Sequence, residues 1–444
     1  MYEERRYKMK YYCIGIKGAG MSTLAQMLYD MGNEVSGYDD AKDYKFTQKG
    51  LEERNIKIYY DGNHPIDKDT IVTYSVAFKQ DHKEMKRVKE LGLTIKPYNE
   101  IVGDITSKFK TISVCGTHGK TTTTSLLKHL FINTIGCNYF IGDGSGHIDL
   151  KNKILVIESD EFNRHFLAYH PTIAIITCVE LEHTEIYKDL EDTIQTFEKF
   201  ANKAKKVIAN GDDQNIRKIH FSNDVVFFGE DEKNDYIIKN IELKETGNTF
   251  TLYKGKDLIG TFHVPLYGKH MVYNTAASVI AALDEGLSVD TIKESLLSFH
   301  NAARRFAEQR VGDTIIIDDY AHHPTEVKVT LESIRQKYPD KKLTVVFRPN
   351  TYSRTSYFLK EFAEALKVAD KVYITPILCN REKKEDYPKV SSEDLIALIP
   401  SSELVDEETI SKVLKDKDGV VCFMGCATVS HLIENFIQEL EKNK

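Results

Sequence analysis

Apolar and polar positions alternate along this chain in three blocks, each opening on a short apolar run. In the first, residues 11–16 lead into Gly15-Ile16-Lys17-Gly18-Ala19-Gly20, after which Met21, Leu24, Ala25, Leu28 and Met31 recur at the spacing of one helix face. Strand, glycine turn and helix are predicted in that order. Gly32 closes the helix, residues 34–37 read as a second strand, and Asp39 stands just past its end. A Rossmann-like unit over residues 1–107 is the expectation.

The second block opens at residues 110–115, again strand-like, with another glycine turn and a helix over 121–131. Strand-like runs at 154–158, 173–177 and 206–210 alternate with a helical stretch at 192–204, which predicts a mostly parallel sheet. Between 225 and 264 the texture changes to short alternating segments, 249–253 and 258–264, joined by the turn Lys254-Gly255-Lys256-Asp257. They read as an antiparallel flank. A helix over 270–285 leads to Ala302-Ala303-Arg304-Arg305-Phe306, and the boundary falls near 307. The third block has strands at 314–317, 343–347, 372–375 and 420–424, and a last helix with Val429, Leu432, Ile433, Phe436 and Leu440 on one face. The expected fold class is therefore α/β in three domains, 1–107, 108–306 and 307–444, with the last Rossmann-like as well.

Composition agrees with this division, since 444 residues exceed what one core usually supports. With 41% apolar and 29% charged residues and only 10 prolines, the chain can bury sizeable cores and does not read as disordered. A formal charge of -7 gives no basic footprint, so nucleic acid is not an expected partner. The 7 cysteines are spread over the length with no CxxC pair and read as reduced thiols. No apolar run approaches the roughly 20 residues that span a bilayer, and no secretory pattern stands near the start. A cytoplasmic protein without a membrane partner is expected.

Phosphate binding needs main-chain N–H groups converging at a helix N-terminus, a cation, and a hydroxyl for a metal. Gly116-Thr117-His118-Gly119-Lys120-Thr121 supplies all of these between a strand and a helix, although Val114 stands where the GxxxxGK[ST] pattern has its first glycine. The central domain is thus expected to be a P-loop-type ATPase domain. The opening turn is less specific. Gly15, Gly18 and Gly20 lack GxGxxG spacing, so a close-packed strand–helix turn and a nucleotide site both stay open there.

Glu158-Ser159-Asp160-Glu161 and Glu180-Leu181-Glu182-His183 follow two strands that should end at the same sheet edge as the phosphate loop. One or two such carboxylates suffice for magnesium, which prefers oxygen ligands and keeps waters; a solvated acidic cluster is the plain alternative. Asp318-Asp319-Tyr320-Ala321-His322-His323-Pro324 lies between a strand and a helix. Without HExxH-type spacing it points to substrate contact more than to zinc. Arg348 and Arg354 flank another strand end, where guanidinium groups suit carboxylate capture.

Taken together, these segments resemble the Mur ligases, in particular those that add L-alanine to UDP-N-acetylmuramate, through nearly the whole chain. GIKGAGMS at 15–22 is similar to that family's opening turn and GTHGKTTTT at 116–124 to its ATP loop. Tyr267-Gly268-Lys269-His270 with Asn274 resembles its adenine segment, Arg304-Arg305-Phe306 its hinge, and DDYAHHPT at 318–325 its C-terminal motif. The resemblance implies an ATP-dependent ligase of peptidoglycan precursor synthesis that works through an acyl phosphate. Its first domain would bind the UDP part of the sugar acid through Gly18, Gly20 and Asp39. Gly116, Thr117, His118, Gly119, Lys120, Thr121 and Thr122 would contact ATP, with Lys120 on the terminal phosphates. Thr121, Glu158 and His183 would ligate Mg2+, and His270 and Asn274 would face adenine. Arg305 and Asp319 would bridge nucleotide and closing domain, and Tyr320, His322 and Arg354 would lie near L-alanine. A monomer or homodimer is expected.

Three stretches depart from the family pattern. Thr177-Cys178 and Glu182-His183 stand where the family has Thr-Asn and Asp-His. Residues 348–355 read RPNTYSRT against QPHxxxRT, and Gly425-Cys426-Ala427-Thr428 replaces GAG[DN]. These departures leave open a murein-peptide recycling ligase or a paralogue that adds another amino acid. From other classes, a noncatalytic nucleotide-sugar sensor and, on the opening turn alone, a nicotinamide-dependent dehydrogenase are the competing readings.

Overall fold

The computed structural model describes residues 8–302, 304–379, 382–414, 418–426 and 429–442. Ala303, Ala427 and Thr428, which belong to segments singled out above, lie outside them. The apolar runs read from the sequence all become strands, and the architecture is α/β in three domains, each with its own parallel-dominated sheet.

The first sheet holds β1 (Lys10–Ile14), β2 (Glu34–Tyr38), β3 (Lys57–Tyr59), β4 (Thr70–Tyr74) and β5 (Thr94–Pro97) in the order β3-β2-β1-β4-β5, all parallel. Strand order reverses at β1, so the glycine turn after it, leading into helix α1 (Ala19–Asp30), sits at the crevice where such sheets take ligands.

The second sheet is built on β6 (Lys110–Cys115), β7 (Asn138–Phe140), β8 (Gly146–His147), β9 (Ile154–Glu158), β10 (Ile173–Ile176), β11 (Lys206–Asn210) and β12 (Asp224–Gly229). Their order is β12-β11-β10-β6-β9-β7-β8, parallel except for the β7–β8 pair. Strands β6, β9 and β10 are buried along almost their whole length, which is why they read as unbroken apolar runs. Because β6 lies between β9 and β10, the loops after these three strands emerge side by side at one edge. Helix α2 (Lys120–Ile132) follows β6 directly.

By contact the chain divides into two compact units, one of residues up to Ile237 together with Ala276–Ser295, the other of Ile238–Thr275 with the chain from Leu296 onward. The first unit contains both sheets just described. One apolar core runs through it, from Leu24, Met27 and Leu28 of α1 to Leu155, Ile157 and Ile176 of the second sheet. A polar seam closes its rim. Arg54 donates to both oxygens of Asp30 at 2.8 and 2.9 Å and to Gly146 O at 3.0 Å, while His147 Nδ1 lies 2.9 Å from Asp30 Oδ2.

In the second unit, β14 (Gly247–Lys254) and β15 (Asp257–Val264), which follow β13 (Tyr236–Lys244), pair antiparallel as the alternating texture indicated. The third sheet runs β16-β17-β21-β18-β19-β20, with β16 (Ala307–Val311), β17 (Thr314–Asp319), β18 (Leu343–Phe347), β19 (Lys371–Ile374), β20 (Ser402–Leu404) and β21 (Gly419–Met424). Only the edge strand β16 is antiparallel to its neighbour. Its sequence, AEQRV, is half-exposed and polar, so no apolar run announced it. Among the described residues no helix is long and apolar enough to cross a membrane.

Replacing Asp30 by Ala leaves the Arg54 guanidinium enclosed without its carboxylate. The expected cost is about 3 kcal/mol, read as a lower urea midpoint for the first unit; a midpoint within error of wild type would show that the seam carries no stability.

Candidate active site

The phosphate loop leaves β6 at Gly116, whose φ of +139° is left to glycine and where a Cβ would lie 2.0 Å from Thr177 Oγ1. Gly119, at φ +84°, is the N-cap of α2, so the first amides of that helix follow a tight left-handed turn. The loop leans on the segment after β10. Thr117 N donates to Cys178 O at 3.0 Å, Glu180 N donates to Thr117 Oγ1 at 2.8 Å, and Thr117 Oγ1 donates to Glu180 O at 3.2 Å. Cys178, one of the departures noted above, takes part through its side chain, because Sγ accepts from His118 N at 3.2 Å. Behind this segment, Asp213 Oδ2 accepts from Val179 N at 2.9 Å and Asn210 donates to Thr177 O at 3.0 Å. The ends of β10 and β11 therefore brace the loop that leaves β6.

Lys120 Nζ donates to Gly116 O at 2.7 Å and Thr117 O at 3.1 Å, and to both oxygens of Glu161 at 3.0 and 2.9 Å. Burial disfavours the ammonium, but the carboxylates of Glu161, Asp160 and Glu182 outweigh it and hold Lys120 charged, its value raised. Burial pushes the Glu161 carboxyl up to about 7 against the pull of Lys120. Glu161 belongs to the acidic cluster of the sequence, which attaches no role to it; its burial against Lys120 becomes visible only in the fold.

Thr121 Oγ1 donates to Glu158 Oε1 at 2.9 Å, which brings two of the expected metal ligands into contact. His183 stands in the left-handed region at φ +53°, held by Ile186 N and Tyr187 N donating to its carbonyl at 2.7 and 2.9 Å. Its ring meets Phe162 edge-on at 5.0 Å, and Nε2 is 3.9 Å from Glu161 Oε1. Asp160, Glu161 and His183 each offer a ligand atom within 4.8 Å of the others. Thr121 is joined to Glu158, and His183 is grouped with Asp160 and Glu161; hard oxygens of this kind, and an imidazole, suit a small divalent cation such as magnesium. Thr122 is buried in the first turn of α2.

At the opening turn, Gly18 is the N-cap of α1 with no side-chain cap, and a Cβ on Gly20 would lie 2.7 Å from the Tyr98 hydroxyl. Asp39 is buried and accepts from Lys17 N at 2.9 Å and Ala41 N at 3.0 Å, so it braces the turn with both oxygens. That bracing had no signal in the spacing of the glycines.

The second unit contains a cavity of about 430 Å³ lined by His270, Arg305 and Asp319 among others. Tyr267 and Phe306, both in its lining, stack on each other at 5.4 Å, with Lys337 Nζ 4.6 Å over the Tyr267 ring. His270 lies on helix α3 (Lys269–Asp284), as does the buried Asn274. Asp319 accepts from Phe306 N at 2.7 Å and Ala321 N at 2.9 Å; burial pushes its carboxyl up, opposed by Arg305. The Arg304 and Arg305 guanidinium groups lie 5.2 and 5.0 Å from the Tyr320 ring, and His322 packs on its edge. Arg304 also donates to Gly425 O at 2.6 Å, so the altered turn after β21 is held through its main chain. Arg354 sits on the short helix Tyr352–Tyr357, whose first amides Glu382 accepts, and Arg348 pairs with Glu407 at 2.5 Å.

Comparison with known proteins finds three family models along the chain. The Mur ligase family catalytic domain matches residues 10–110, the Mur ligase middle domain 114–282, and the Mur ligase glutamate ligase domain 304–427. The UDP-N-acetylmuramate–L-alanine ligase of Lactiplantibacillus plantarum is 40% identical over 422 residues, covering 94% of this chain and 96% of that protein. Among solved structures, the UDP-N-acetylmuramate-alanine ligase of Thermotoga maritima superposes with a TM-score of 0.83 at 24% identity, over 98% of this chain and all of that one. A murein peptide ligase from Psychrobacter arcticus superposes at 0.73 and 22% identity, over 97% and 98%. These two likenesses concern the fold.

Thr117→Val keeps the shape of the side chain and removes both bonds to Glu180. It is expected to cost about 2 kcal/mol of stability in urea unfolding and to weaken binding of a nonhydrolysable ATP analogue in calorimetry. No change in either quantity would show that the loop does not depend on the segment after β10.

Proposed function

The chain belongs to the Mur ligase family, and on that premise we propose that it is the ligase that joins L-alanine to UDP-N-acetylmuramate, with ATP, in peptidoglycan precursor synthesis. The relative at 40% identity over nearly the whole length carries that activity in its name. The observation that carries the chemistry is the loop itself: Lys120 at its mouth, and Thr121 bonded to Glu158 one strand away.

A carboxylate acylates amines poorly because its leaving oxide is strongly basic. Transfer of the γ-phosphoryl group of ATP to the muramate carboxylate gives an acyl phosphate and ADP. The amine of L-alanine then adds to the acyl carbonyl, and phosphate leaves with one former carboxylate oxygen. Lys120 and the amides of 117–121 meet the charge that builds between the β- and γ-phosphates. Thr121, Glu158 and His183 would hold Mg2+, which when bound offsets phosphate charge. Glu161 keeps the Lys120 ammonium oriented at the mouth of the loop.

For the sugar nucleotide, Gly18 and Gly20 offer the amides at the start of α1 to a diphosphate, with Asp39 setting the turn. In the second unit we assign the cavity beside His270 to adenine, with Asn274 on the same helix and Arg305 and Asp319 on its nucleotide side. Its volume suits a base. Tyr320, His322 and Arg354 are assigned to L-alanine. The domain limits 1–107, 108–306 and 307–444, a cytoplasmic location and a monomer or homodimer complete the reading.

Purified protein with Mg-ATP and UDP-N-acetylmuramate is expected to release phosphate with L-alanine, and far more slowly with glycine, L-serine or the murein tripeptide. Preference for the tripeptide would make it a recycling ligase, and release with none would remove the ligase reading. Lys120→Ala should lower kcat at least about 1000-fold, while Glu158→Ala and His183→Ala should shift activity to higher magnesium. Wild-type magnesium dependence in both would contradict their assignment.

A further inference from the structure

The segment Ile141-Gly142-Asp143-Gly144-Ser145-Gly146-His147 makes contacts that none of the roles above accounts for. At one end, Gly142 N donates to Glu158 Oε2 at 2.7 Å. Since Thr121 holds Oε1 at 2.9 Å, both oxygens of this carboxylate are aimed. A Cβ on Gly142 would lie 2.7 Å from Oε1 and 2.8 Å from Oε2, so any other residue must turn the carboxylate away. The backbone at Gly142 is not left-handed. Glycine is needed there for space, and alanine would meet no dihedral strain.

Along its length the segment is tied to α1 and its neighbours. Gln26 Nε2 donates to Gly144 O at 2.7 Å, Thr23 Oγ1 to Ile141 O at 3.3 Å, and Arg54 Nη2 to Gly146 O at 3.0 Å. Inside it, Asp143 Oδ1 accepts from Ser145 N at 2.9 Å and Ser145 Oγ at 2.6 Å, and Ile141 N donates to Ser145 O at 3.0 Å. A stiff, internally bonded turn therefore spans from the first-domain helix to the carboxylate beside the phosphate loop.

We propose that residues 141–147 are a strut that fixes the Glu158 carboxylate from helix α1, with Gly142 as its positioning residue. The inference rests on the reading of Glu158 as a metal ligand. A partner that orients a ligand without touching the metal controls affinity by keeping the ligand in its binding rotamer.

The test is manganese affinity of the whole chain with a nonhydrolysable ATP analogue, read by electron paramagnetic resonance with neither sugar nucleotide nor amino acid present. Gly142→Ala is expected to weaken manganese roughly tenfold, at an unchanged Tm, and to add nothing in a Glu158→Ala background. Gln26→Leu, at the far anchor, is expected to weaken it about threefold and to be equally silent without Glu158. If Glu158→Ala alone binds manganese like wild type, the ligand reading fails and the strut with it. If Glu158→Ala weakens binding but Gly142→Ala does not, or if Gly142→Ala acts equally without Glu158, the strut is overturned and the ligand reading stands.

Discussion

An enclosed lysine ammonium must be matched by negative charge and by acceptors for its protons, and the arrangement around Lys120 follows from that demand. Two loop carbonyls and both oxygens of Glu161 satisfy it. A triphosphate brings the same kind of oxygen to the same place, with more charge. The carbonyls of Gly116 and Thr117 can accept from Lys120 only because the loop folds back through left-handed glycines at 116 and 119. That fold-back in turn needs the braces from the segment at 177–180, itself pinned by Asn210 and Asp213. One charge-matching constraint thus reaches three strands deep into the sheet.

Much of this was legible in the sequence, and the reasons are physical. Buried parallel strands must be apolar on both faces, so β6, β9, β10, β18 and β21 announced themselves as runs. Glycine turns between a strand and a helix marked the two strand ends to which the proposal assigns ATP and the sugar nucleotide. The polar edge strand β16 and the short pair β7–β8 gave no such signal, because each has a face that apolar packing does not dictate. At the site, residue types and spacing picked out Lys120, Thr121 and two acidic segments after neighbouring strands, and the family resemblance singled out Glu158 and His183 within those segments. They did not reveal that Glu161 faces Lys120, that Asp39 spends both oxygens on amides, or that Cys178 accepts from His118. Each of these depends on a long-range contact that no local pattern encodes.

The departures from the family pattern have different physical consequences. Cys178 replaces a polar side chain and still accepts an amide proton of the loop, so bracing survives the change. At the start of the turn after β21, Arg304 grips the Gly425 carbonyl, a main-chain contact that does not depend on the residue type there. Asn350 pairs in a parallel bridge with Leu378, so its backbone is fixed whatever its side chain contributes to selectivity.

In the proposed reaction this loop carries a γ-phosphoryl group onto the carboxylate of the sugar acid, and the fate of the carboxylate oxygens reports that step. UDP-N-acetylmuramate labelled with oxygen-18 in its carboxylate is turned over with ATP and L-alanine, and the released phosphate is weighed by mass spectrometry. One labelled oxygen per phosphate is the predicted result. Unlabelled phosphate, with amide formed, would contradict activation of the carboxylate by ATP and the assignment of the loop to that step.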